Sequence, residues 1–133
     1  MTNKSKKIQT EISPGELLDK ISILEIKINK ITSKDKLIQL NKEYEILTLS
    51  KKANINFSKE IEILYKEIKE INQNLWNIED EIRICEKNKK FDEKFITLAR
   101  NVYLNNDKRA KIKSKINEIL GSNIKEIKEY ADY

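Results

Sequence analysis

The chain has 133 residues, 38% of them hydrophobic and 37% charged, and a formal net charge of +5. Two glycines and one proline leave few sites for chain reversal, which excludes strand-rich folds and predicts one all-α domain, a long-helix antiparallel bundle or helical hairpin with heptad-like packing. With no histidine and a single cysteine, Cys85, imidazole catalysis, Cys/His metal sites and an internal disulfide are excluded as well.

Residues 1–11 are polar and lysine-bearing and read as a flexible tail, ahead of a helical domain over 12–121 and a short C-terminal segment over 122–133. Ser13-Pro14-Gly15-Glu16 then signals a helix start. Ser13 can cap, Pro14 suits the first helical position, and Glu16 can reach back to close a capping box. Leu17, Ile21, Leu24, Ile28 and Ile31 repeat at intervals of four and three, with Ile23 and Ile26 pointing the other way. A helix apolar on two sides is central in its bundle or shared with a partner chain. Thr32-Ser33 reads as an interruption with Ser33 as the next cap, one bent helix over 14–52 being the alternative, and a second helix carries Leu37, Leu40, Tyr44 and Leu47 before fading at Ser50 to Asn56.

Helix three has the strongest pattern. Ile61, Leu64, Ile68, Ile71, Leu75, Ile78, Ile82 and Cys85 form an unbroken heptad seam, capped by Ser58 and ended by Lys87 to Lys90. Such a seam demands a packing partner along about 40 Å of helix. Cys85, on that seam, reads as a small buried apolar residue. Two shorter helices are expected next. Phe91, Phe95, Leu98 and Val102 mark the first, Asn105-Asn106-Asp107 a turn, and Ile112, Ile116, Ile119 and Leu120 the second, with Gly121 as its stop.

Off the seam of helix three, Tyr65, Asn72, Trp76, Glu79 and Arg83 form a second stripe with Asp80 at its edge. The only tryptophan therefore lies among charges, where it could wall a cleft served by Glu79, Asp80 and Arg83. Lysine supplies all but three of the 27 cations, so Arg83, Arg100 and Arg109 suggest positions where a planar fork is used. Arg109 shares the angular span of Ile112, Ile116 and Leu120, so its stem should face the bundle and its charge should meet an anion, either a protein carboxylate or a ligand. Residues 59–88 are net acidic between net basic flanks, which packing within the molecule explains more simply than nucleic-acid binding. Lys108 to Lys115 holds five cations without interleaved aromatics and reads as a solvated face. Glu67/Glu70 and Glu129/Asp132 have the spacing of paired magnesium carboxylates but stand far apart, so no metal and no cofactor is expected.

The stretches SPGELLDKISILEIK (13–27), LWNIEDEIRICE (75–86) and FITLARNVYLNNDKRAKIKSKIN (95–117) resemble, in order, an uncharacterised bacterial family catalogued only as a domain of unknown function. The likeness runs from Ser13 to Gly121 and implies no mechanism. It implies that Glu16, Asp19, Lys20, Trp76, Glu79, Asp80, Arg83, Arg100, Asn106, Asp107 and Arg109 belong to the family's polar pattern. A weaker likeness of residues 17–31 to the first helix of small chorismate mutases lacks that family's early arginine.

The expected protein is therefore a small helical interaction or ligand-binding protein, a homo-oligomer through helix one or helix three. Its candidate ligand site is Trp76, Glu79, Asp80, Arg83, Arg100, Asp107 and Arg109, its guest an anionic small molecule or an acidic protein segment. The alternatives are a small all-α enzyme acting on a carboxylated or phosphorylated metabolite at the same cluster, and nucleic-acid binding through Lys108–Lys115. A cytoplasmic location without a transmembrane segment is expected, since neither a signal-peptide core nor an apolar run of about 18 residues occurs.

Overall fold

The computed structural model describes residues 5–133; the first four residues of the expected tail lie outside them. Four helices follow in order: α1 (Pro14–Lys30), α2 (Lys34–Asn54), α3 (Lys59–Lys87) and α4 (Glu93–Ile119). Among the described residues there is no strand, and no helix is long and apolar enough to cross a membrane.

Each helix begins at a side-chain cap. Ser13, Ser33, Ser58 and Asp92 stand in extended backbone and accept from the amide three residues on. The caps at Ser33 and Ser58 place α1, α2 and α3 where the sequence predicts them. α4 ends in a Schellman turn, with Gly121 at φ 64° and the Ser122 amide donating to the Asn117 carbonyl at 2.8 Å. α3 ends in the same motif with Lys89 at φ 54°, a left-handed position that costs a side-chain-bearing residue roughly 1–2 kcal/mol.

The expected turn at Asn105-Asn106-Asp107 does not form. α4 is one helix of 27 residues. The polar side chains that suggested a break are used without breaking it: Asn105 donates back to the Asn101 carbonyl at 2.8 Å, and Asn106 accepts from Arg109 at 3.4 Å. The four-three spacing of Phe95, Leu98 and Val102 also continues through Asn105 and Arg109 to Ile112 and Ile116, so the packing stripe is continuous although its middle members are polar.

α3 and α4 form a long hairpin, α1 lies against both, and α2 lies along α1. Leu17, Leu18 and Ile21 of α1 meet Ile61, Leu64 and Tyr65 of α3 and Ile116 of α4 in the main core, which Tyr44 and Leu47 of α2 border. α1 is the central helix. Full burial of Leu18, Ile21, Ile61, Ile68 and Ile116 is worth on the order of 2 kcal/mol each before chain entropy is subtracted. At about 25 Å, α1 is much shorter than the roughly 44 Å of α3. Beyond it the hairpin closes on itself through Ile78, Cys85 and Leu98, with Ile82, Phe95 and Val102 around them.

Candidate functional site

Where α1 docks into the hairpin, the contact is polar. Asp19 is fully buried, and its carboxylate accepts from Arg109 Nε at 2.9 Å, Arg109 Nη2 at 2.5 Å and Asn72 Nδ2 at 2.8 Å. Asn72 also donates to Ser22 Oγ at 2.8 Å, and that hydroxyl donates to the Asp19 carbonyl at 2.7 Å. One turn along α4, Lys113 lies 2.8 Å from Glu16, 2.8 Å from Glu126 and 4.0 Å from Asp19. A further turn on, Asn117 Oδ1 accepts from the Gly15 amide at 2.7 Å, an otherwise orphaned donor in the first turn of α1.

Three residues four apart on α4, Arg109, Lys113 and Asn117, thus face three positions on α1. Gly15 permits the approach: a Cβ there would stand 2.6 Å from the Lys113 carbonyl oxygen and 2.8 Å from Asn117 Oδ1. The fork of Arg109 grips a carboxylate that has no access to solvent, which is the use of arginine that lysine cannot reproduce. The hydrogen bond with Asp19 raises the Arg109 pKa above its ordinary value, outweighing burial. Burial works against the Lys113 ammonium, yet hydrogen bonds to Glu126 and Glu16 overcome it and leave the pKa raised. Glu126 sits below the ordinary carboxylate range because Lys113 donates to it.

Arg109 also reaches the surface, with 27% of its side chain exposed. There it joins Asn72, Trp76, Glu79, Asp80 and Arg83, with Ile23, Ile26 and Leu75, around an open cleft of about 430 Å³ at the shoulder between α1 and the hairpin. Five of the seven expected site residues, Trp76, Glu79, Asp80, Arg83 and Arg109, therefore line one concavity. Arg83 lies 3.4 Å from Glu79 along the exposed helix face. Arg100 and Asp107 do not join them. Arg100 is exposed on α4, and Asp107 lies in a separate groove with Tyr103, Tyr130 and Tyr133, where its carboxylate accepts from the Tyr133 hydroxyl.

The five cations of Lys108–Lys115 divide around their helix. Arg109 and Lys113 turn inward to carboxylates, while Lys108, Lys111 and Lys115 are exposed. Glu67 and Glu70 line one groove with Lys108 and Lys111, so the remaining basic face already has acidic neighbours.

Sequence reasoning about the site missed Ser22, Asn72 as a bridging donor, Lys113 as an inward-facing cation and Asn117, and it named Asp19 only through the family resemblance. The signal was helical spacing. Gly15, Asp19 and Ser22 share a face of α1, and Arg109, Lys113 and Asn117 repeat every four residues, which matches two small-or-polar stripes able to meet.

Fold and site together define an all-α bundle whose central helix is held by a buried Asp–Arg node beneath an amphipathic cleft. The model of a family of unknown function, DUF6165, matches residues 8–132, and the chain belongs to that family. No curated protein and no solved structure matches.

Proposed function

We propose that the protein binds a small molecule in the cleft between α1 and the hairpin, and that its guest is a zwitterion with a flat apolar body. The observation that carries this reading is the convergence of Trp76 with unlike charges on one concavity. Ile23, Ile26, Leu75 and Trp76 supply an apolar wall; Asp80 and Glu79 offer negative charge, and Arg83 and Arg109 positive charge. A volume of about 430 Å³ fits within the roughly 300–1,000 Å³ of small-molecule sites. The two rim carboxylates balance the two arginines, and Asp19 already holds one edge of Arg109, so the site favours a guest carrying both signs over a plain anion. Binding is favoured over acid–base catalysis because Glu79 and Asp80 stand in solvent and the buried carboxylate of Asp19 is occupied by three donors.

Trp76 is the only tryptophan, so its fluorescence reports on the cleft alone. Titration with phenylalanine, phenylacetate and phenethylamine presents a zwitterion, an anion and a cation on one body. A saturable change is expected with the zwitterion at the lowest concentration. It should weaken at least tenfold in Asp80→Asn and in Arg83→Gln, both exposed substitutions that spare the fold. Emission that no probe changes saturably, or binding that neither substitution weakens, sinks the reading.

A further inference from the structure

α2 is the one helix with no buried residue. Tyr44 and Leu47 turn toward the core, yet Ile38, Ile46 and Leu49 on the opposite side are 64%, 56% and 67% exposed. At about 100° per residue, Ile38, Lys42, Glu45 and Leu49 fall within about 60° of one another, with Asp35, Ile46 and Lys52 at the edges of the same face. Three apolar side chains left in solvent on one side of a helix already apolar on its inner side are a candidate contact surface.

The order of residues along that stripe identifies the partner. Place a two-fold axis midway between Glu43 and Tyr44 and run a second α2 antiparallel to the first. Ile38 then faces Leu49, Lys42 faces Glu45, and Asp35 faces Lys52, each pair occurring twice. All four charged residues are exposed, and none has an ionic partner among the described residues. Self-complementarity of one patch is what a two-fold interface requires. The apolar pairs lie between the charged pairs, the arrangement that fixes register and direction in paired helices. By contrast, Leu17, Leu18 and Ile21 of α1 and Ile61, Leu64, Ile78 and Cys85 of the α3 seam are packed within the chain.

We infer that the outer face of α2 is a homodimer interface in which two copies pair antiparallel about the Glu43–Tyr44 midpoint. This reading is independent of the ligand cleft, which lies on the other side of α1.

Sedimentation equilibrium of the full chain over roughly 1–200 μM is expected to show a monomer–dimer equilibrium with its dissociation constant inside that range. Leu49→Lys should weaken it at least tenfold while circular dichroism remains helical, because the site faces solvent. The decisive arm uses two single variants, Lys42→Glu and Glu45→Lys. Each puts like charges opposite in its own dimer and should self-associate at least fivefold more weakly than the wild type. Mixed together they restore both unlike pairs and should associate with each other better than either does alone. A wild type monomeric throughout, a dimer insensitive to Leu49→Lys, or a mixture no better than its parts overturns the inference.

Discussion

Removing Arg109 tests whether the polar node holds α1 in place. Asp19 is fully buried and Arg109 is its chief counter-charge, with two donors at 2.9 and 2.5 Å. Breaking a buried pair from one side typically costs 3–5 kcal/mol, most of it the penalty of a stranded charge. Two features place Arg109→Ala near the lower end. Asn72 still donates to Asp19 at 2.8 Å, and Lys113 stands 4.0 Å away. A loss of about 3 kcal/mol follows, or roughly 10 °C in Tm for a domain of this size. Arg109→Lys keeps the charge but not the fork, so about half the loss should remain. Asp19→Asn should cost less than Arg109→Ala, because Arg109 left unpaired can turn to water whereas Asp19 cannot. Urea unfolding followed at 222 nm measures all three, and the double variant should cost less than the sum of the singles by about 1 kcal/mol or more. An Arg109→Ala loss below about 1 kcal/mol, or strictly additive singles, would refute the claim that this pair locks the bundle.

Gly15→Ala should destabilise by about 1–3 kcal/mol although alanine favours helices, because its Cβ meets backbone at 2.6 Å; thermal unfolding reads this directly. The C-terminal segment should loosen in acid. The Glu126 pKa is depressed below its ordinary 4.5, so its contribution is complete above that value and fades as pH falls through the lower folded value, whereas the Lys113 contribution is complete below 10.5 and is lost only as pH rises through its raised folded value. The 15N heteronuclear NOE values of residues 122–133 should therefore fall between about pH 5 and pH 3, and Glu126→Gln should remove that dependence.

The helices were legible in proportion to how apolar their packing was. The seam of α3 could be read residue by residue, and the caps Ser13, Ser33 and Ser58 could be read as well, whereas the Asp92 cap was not. α4 was misread because Asn105 and Arg109 occupy packing positions that an apolar pattern does not register. Asn and Asp in series also signal a turn when their partners are unknown. That Trp76, Glu79, Asp80, Arg83 and Arg109 lie together was legible from composition and angular position, since one helix carries four of them and spacing alone brings those together. Arg100 and Asp107 lie apart from that cleft, because their position depends on how α4 lies against α3, which no local pattern contains. Asp19 was hidden for the opposite reason. A carboxylate between Leu18 and Lys20 gives no sign of burial until the arginine ninety positions later is known to meet it.

That long-range pair joins the fold to the cleft. Asp19 holds Nε and Nη2 of Arg109 and Asn106 accepts from its Nη1, while the partly exposed side chain lines the cleft. Asn72 likewise bonds Asp19 and Ser22 from below and lines the cleft from above. A guest touching either side chain therefore bears on the groups that fix α1 against α3 and α4. Such a guest binds the docked arrangement better than one in which α1 has lifted, and linkage requires it to stabilise the docked state by the same differential. Binding should then slow hydrogen exchange along α1 as well as at Trp76. Protection confined to Trp76 and its neighbours on α3 would separate the cleft from the lock beneath it.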